Sequence, residues 1–364
     1  MQVKDIVNYL EATFPLSLQE SYDNAGLICG RMEQEINGVL LCLDSIEATI
    51  DEAISKNCQL IVAHHPIVFK GLKKITGKTY VERVIEKCIQ HQISLYAIHT
   101  NLDNHIDGVN AEIANRIGLK NRRILRPMTN QLYKLVVFAP QDALIRLDQA
   151  LFEAGAGSIG NYSECHFRTE GMGTFTPNER SNPSIGEKNQ RSEVSEYRVE
   201  YLVQKSEIGK VLSAMYTAHP YEEVAHEVYP IENLHPHLGA GLVGELETPI
   251  EAMQFLQELK KTFQCQVIRH TNVCKKQITT VALCGGSGSF LLPDALRAKA
   301  DIFITGDFKY HEFFDAENQL IIADIGHFES EQYTPQLLAE KLKEKFTKFA
   351  VHLTDLNTNP INYL

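Results

Sequence analysis
At 364 residues the chain exceeds one average domain, and with 44% hydrophobic residues it can bury the core of two domains, or of one domain carrying an insertion. A net charge of −11 disfavours a protein that coats nucleic acid through phosphate contacts, and no basic patch stands out to reverse that field. No run approaches the ~20 apolar residues of a membrane helix, and no basic segment with an apolar core opens the chain, so a cytoplasmic protein is expected. Eight cysteines stand singly, without a C-x-x-C pair and mostly inside apolar runs, which reads as reduced, buried thiols.

In chain order, Ile6, Tyr9 and Leu10 have helical spacing in a segment that Pro15 ends, and a turn-rich passage, residues 21–30, leads into an apolar strand. A strand over 39–44 precedes a helical pattern over 46–56. The next apolar run, Leu60-Ile-Val-Ala63, stops at His64-His65-Pro66. Proline cannot continue a ladder and holds His65 extended, so both imidazoles lie at a strand's carboxyl end. A helix over 80–91, with Val81, Val84, Ile85 and Cys88 on one side, leads to a strand over 93–98 that ends in His99-Thr-Asn-Leu-Asp103. Such alternation predicts parallel βαβ units.

The texture then changes. Residues 129–232 read as strand (133–138), helix (141–154), a glycine turn (155–160) before a short strand, then strand (197–203), helix (206–218) and strand (224–229). This is the ferredoxin-like α+β pattern. The polar stretch 176–196 reads as a long mobile loop within it. Afterwards the first pattern returns: strand 280–285, a glycine-serine turn, helix 294–300, strand 302–307, a short helical passage through Phe313 and Phe314, and strand 320–325 before Gly326-His327 and Glu331. Cys42 and Ala63 are 21 residues apart, and so are Leu283 and Ile304. The expected fold is therefore α/β, with two pseudo-repeated βαβ halves (1–128 and 233–364) forming one discontinuous domain around an inserted one (129–232).

Metal-ligand residue types gather at these strand ends: His64, His65, Asp103, His327 and Glu331. His327 and Glu331, four apart, share a face if a helix starts there. Imidazole plus carboxylate without thiolate suits zinc first, with manganese or iron as alternatives. Five donors exceed one tetrahedral ion that keeps a water, and suit two divalent ions ~3.5–4 Å apart with Glu331 bridging. Two such ions outweigh Asp103 and Glu331, so a small anionic substrate is expected. Taken singly, each residue has an ordinary reading: a strand-end histidine, a turn aspartate, a helix-start glutamate. Their joint recurrence favours the metal. His99, Lys309 and His311 are candidates to support the donors or touch substrate. Gly285-Gly-Ser-Gly-Ser289 lacks the lysine and spacing of a phosphate loop and reads as a tight turn or an anion contact.

These stretches resemble the Nif-three-like family, often named GTP cyclohydrolase I type 2 homologues. The likeness spans Tyr22-Asp-Asn-Ala-Gly-Leu27, Leu43-Asp44, Ala63-His-His-Pro66, His99-Thr-Asn-Leu-Asp103, Thr305-Gly-Asp-Phe-Lys-Tyr-His311, Gly326-His327 with Glu331, and Asn359-Pro360. Tyr22 stands where many relatives carry tryptophan. The resemblance implies a dinuclear centre on His64, His65, Asp103, His327 and Glu331, and a PII/CutA-like insertion with its signature turn at Gly155-Ala-Gly-Ser-Ile-Gly-Asn-Tyr162. It also implies a toroidal homohexamer and a hydrolase acting on a purine nucleotide, GTP first. A phosphoesterase on a small anion, or a non-enzymatic metal-binding regulator or scaffold, are the alternative readings.

Overall fold
The computed structural model describes residues 1–364, which divide into two compact units: Met1–Pro127 with Pro236–Leu364, and Met128–His235. The fold is mixed α/β with three sheets. The strands in chain order are β1 (Gly26–Cys29), β2 (Gly38–Cys42), β3 (Leu60–Ala63), β4 (Ser94–Ala97) and β5 (Lys120–Pro127). The second unit contributes β6 (Leu132–Ala139), β7 (His166–Phe175), β8 (Ser192–Gln204) and β9 (His226–Ile231). The returning chain adds β10 (Gly239–Glu251), β11 (Arg269–His270), β12 (Gln277–Ser287), β13 (Ile302–Gly306), β14 (Ile321–Asp324) and β15 (Ala350–Leu353).

The first unit holds two sheets, ordered β1-β4-β3-β2-β15 and β11-β14-β13-β12-β10-β5. Strands β2, β3 and β4 pair in parallel, as do β12, β13 and β14. Cys42 lies beside Ala63 and Leu283 beside Ile304. The equal spacing in the sequence thus corresponds to paired positions in the two sheets, and the longer step from Ala63 to its partner Ala97 ends level as well. Strands β5, β10, β11 and β15 escape the sequence reading because they lie outside the strand-helix alternation; β5, β11 and β15 are sheet edges, and β10 lies between β12 and β5.

Alternation within each strand decides which core a residue enters. Val39, Leu41, Leu60 and Val62 of one sheet share a core with Val281, Leu283, Ile302 and Ile304 of the other. Their neighbours Leu40 and Ile61 face a second core, and Phe303 and Ile322 a third. Burial on both faces is why these strands read as continuous apolar runs. The helix Tyr80–Gln90 closes the second core with Val84, Ile85 and Cys88, and Thr79 caps it by accepting from the Glu82 N–H at 3.2 Å.

In the second unit the sheet order is β7-β8-β6-β9, every neighbouring pair antiparallel, with the helices Leu144–Glu153 and Ile208–Ala218 after its first and third strands. One expectation is corrected here. Strand β8 begins at Ser192 and pairs with β7 all the way to Phe175, so the loop is confined to 176–191 and the strand before it is ten residues long. Much of this hairpin is exposed on both faces, so no hydrophobic alternation marks it and its ladder of backbone hydrogen bonds defines it instead.

Ile304→Ala should destabilise the first unit by about 2–5 kcal/mol, the cost of a cavity beneath both parallel runs. Urea unfolding followed by circular dichroism measures it.

Candidate metal centre
Strand β3 ends at Ala63, yet the backbone N–H groups of His64 and His65 still donate to the carbonyls of Cys42 (3.1 Å) and Leu43 (3.0 Å). Both imidazoles are thereby held at the sheet's carboxyl end. Asp103 closes the short helix Thr100–Asp103 after β4. His327 and Glu331 open and close the helix His327–Glu331 after β14, with Nε2 and Oε2 3.1 Å apart. The structure brings all five together: His64 Nε2 lies 3.6 Å from Asp103 Oδ1 and 3.7 Å from Glu331 Oε1, and His65 Nε2 lies 2.9 Å from Glu331 Oε2 and 3.3 Å from His327 Nε2.

What each imidazole does on its far side decides what it offers on the near side. His64 Nδ1 meets the Ile98 carbonyl at 2.8 Å, His65 Nδ1 meets Asp44 Oδ1 at 2.7 Å, and His327 Nδ1 meets Asp307 Oδ2 at 2.7 Å. An acceptor at Nδ1 requires a hydrogen there, so in neutral rings all three Nε2 atoms turn lone pairs towards Glu331. His64 Nε2 and Asp103 Oδ1 are buried with no hydrogen-bond partner. Lone pairs facing one another in a buried space demand a cation. Two donor groups could hold one, His64 with Asp103 and Glu331, and His65 with His327 and Glu331; His64, His65 and His99 form a third cluster.

Without metal ions, protons take their place. Burial alone would depress His65, but Asp44 and Glu331 raise it to about 9, and Glu331 with Asp307 raises His327 to about 11 against the same burial. Fully buried His64 is pushed down to about 4 despite Glu331. Burial and the Glu331 charge push the Asp103 carboxyl up, while the three histidines, His327 foremost, hold Glu331 well below the usual carboxylate range in spite of its burial.

His65, Asp103, His327 and Glu331 line a cavity of about 700 Å³, with His64 buried behind them. His99 lines it too, its Nδ1 2.8 Å from Asp23 Oδ1. Burial favours a neutral Asp23, but hydrogen bonds from His99 and Thr100 outweigh it and hold the carboxyl down to about 2. Lys309 and His311 are not brought in. Both are exposed at the 3-10 segment Tyr310–Ala316 and neither lines the cavity. Of the glycine-serine stretch, Gly285 and Gly286 belong to β12, and their N–H groups donate to Asn110 Oδ1 and Ser330 Oγ, leaving neither for an anion. Gly286, at φ +60°, is there for space, since a Cβ would sit 2.4 Å from Glu331 Oε1.

Sequence reasoning assigned no role to Asp23, Asp44 or Asp307. Their positions were a signal: Asp44 and Asp307 each follow a parallel strand, and Asp23 precedes β1, which runs antiparallel to β4 and so starts at the same end.

The chain matches the model of the Duf34/NIF3 (NGG1p interacting factor 3) family over residues 1–360. A protein of Halalkalibacterium halodurans named GTP cyclohydrolase 1 type 2 homolog is 40% identical over 365 residues, covering 99% of this chain and 98% of the relative. A protein of the same name from Bacillus subtilis is 36% identical over 371 residues, with 99% and 98% covered. The crystal structure of a Bacillus cereus protein related to NIF3 matches with a TM-score of 0.86 at 36% identity, covering 100% of this chain and 99% of that one.

Asp44→Ala frees the His65 ring and should weaken ion uptake on the order of 10–100-fold, read by calorimetry with zinc or manganese. The protons on His65 and His327 must leave when an ion enters. Ion uptake at about pH 7 should therefore release protons, and affinity should climb as the pH rises from about 7 through about 9, where metal-free His65 gives up its proton. Titrations in buffers of different ionisation heat count them, and an affinity that is flat over that range would refute the assignment.

Proposed function
The chain belongs to the Duf34/NIF3 family, and from that premise we propose that it is a metal-dependent hydrolase of a nucleotide-related substrate, with a purine nucleotide such as GTP the first candidate. The names of the relatives support the substrate class. The observation that carries the metal is the pair of buried, unpartnered atoms, His64 Nε2 and Asp103 Oδ1, turned towards Glu331.

His64, Asp103 and Glu331 would hold one divalent ion and His65, His327 and Glu331 a second, Glu331 spanning both. Zinc is the first choice for this donor set, with manganese and iron fitting it also. Once bound, paired ions supply water activated towards a pKa of ~7 and polarise the bond under attack. The chain's own residues do the rest. Asp44, Asp307 and the Ile98 carbonyl orient the three imidazoles. Asp23, kept ionised, holds a hydrogen on His99 Nδ1, so that His99 would accept or return a proton at Nε2. The antiparallel topology of Met128–His235 supports reading that unit as a ferredoxin-like inserted domain, and a toroidal homohexamer, which the family resemblance implies, is part of the same proposal.

Incubating GTP with zinc-, manganese- and iron-reconstituted protein and separating the products tests this. Ring-opened or formate-releasing products are expected, and they should disappear in Glu331→Ala and His64→Ala. Phosphate release lost in the same variants would move the assignment to phosphoester hydrolysis. Bound metal without turnover would leave a non-enzymatic metal-binding role.

A further inference from the structure
The cavity beside the metal cluster is poorly suited to the charged end of a nucleotide. Glu20, Asp44, Asp103, Asp307 and Glu331 line it, and no lysine or arginine does. Two divalent ions would be largely offset by these five carboxylates, so a polyphosphate placed deep in the cavity gains little Coulomb energy. Arg126, which lies over the cavity-lining Phe290 ring, is already committed: it donates to Asp294 and to the Phe290 carbonyl, each at 2.7 Å.

The loop on one side of the cavity has the opposite character. Phe69 and Tyr80 both line the cavity and both are about half exposed. Between them runs Lys70-Gly-Leu-Lys-Lys-Ile-Thr-Gly-Lys78, four exposed lysines without one acidic residue, in a chain of net charge −11. The basic residues of the helix that follows are neutralised, Arg83 by Glu47 and Lys87 by Asp51, whereas the four loop lysines form no ion pair. The loop's far end is tied down, since Glu82 Oε2 accepts from the N–H groups of Thr76 (2.8 Å) and Lys78 (3.2 Å). Exposed aromatic rings offer faces for a planar base, and lysines serve as mobile point charges for phosphates.

We propose that the chamber takes the base of a nucleotide, against Phe69 and Tyr80, and that the lysines of the 70–78 loop bind its phosphates outside the metal chamber. This rests on the nucleotide reading given above. It assigns the loop a specificity role: it discriminates nucleotide from nucleoside, while the metal donors do not.

Equilibrium dialysis of guanosine, GMP and GTP against full-length, zinc-loaded protein tests it, using wild type and the variant carrying Lys70→Ala, Lys73→Ala and Lys74→Ala. The wild type should prefer GTP over guanosine, with the preference shrinking as salt is added. The variant should lose about tenfold or more in GTP affinity, keep its guanosine affinity within about twofold, and keep its zinc content. Guanosine binding as well as GTP in the wild type, or unchanged GTP affinity in the variant, overturns the proposal and leaves the metal reading intact. A fully zinc-loaded protein that binds none of the three overturns the nucleotide reading, and this proposal with it.

Discussion

Four lone-pair donors turned towards one buried carboxylate form the constraint on which the rest of the first unit depends. His64, His65, Asp103 and His327 surround Glu331 at 2.9–3.7 Å or through a shared neighbour, in a space where two of the donor atoms have no partner at all. Such an arrangement is stable only if positive charge enters it, as protons or as metal ions. The perturbed histidines express the first option, being raised where a carboxylate is adjacent and lowered where burial dominates.

Holding that cluster in place explains features that look unrelated. Neighbouring parallel strands in each sheet are paired up to their carboxyl ends, and the clustered residues sit just past those ends. Glycine at 286 leaves room for the Glu331 carboxylate. Asp44 is itself held from the far end of the chain, as Thr358 Oγ1 donates to its Oδ2 at 2.6 Å. A residue in the C-terminal tail therefore helps to fix the orientation of His65. Acidic residues that back the imidazoles also add to the cavity's charge: Asp44 and Asp307, with Glu20, line the same space as Asp103 and Glu331.

That these five residues gather was legible because each is a polar residue following a strong local pattern: an apolar run before His64-His65, another before Asp103, and a third before His327 and Glu331 with helical spacing. Asp23, Asp44 and Asp307 were not legible as supports, since a hydrogen bond across 21 or 76 residues of chain leaves no local mark. Lys309 and His311 lie outside the cavity lining. Nearness in sequence to Asp307 does not by itself bring a side chain to the cavity: Asp307 adopts a left-handed φ of 57°, Phe308 is buried in a separate core, and Lys309 and His311 are exposed.

By itself, the amino-acid sequence determined the parallel strand-helix repeat, the change of texture in the middle of the chain, and the residue types waiting at the strand ends. Hydrophobic alternation and turn chemistry are local, so they can be read from neighbours alone. Tertiary structure decided which strands joined the sheet edges, which atom of each imidazole faced inward, and which carboxylates shared the cavity. Those outcomes depend on distances between residues far apart in the chain, and only packing two sheets on one core sets such distances.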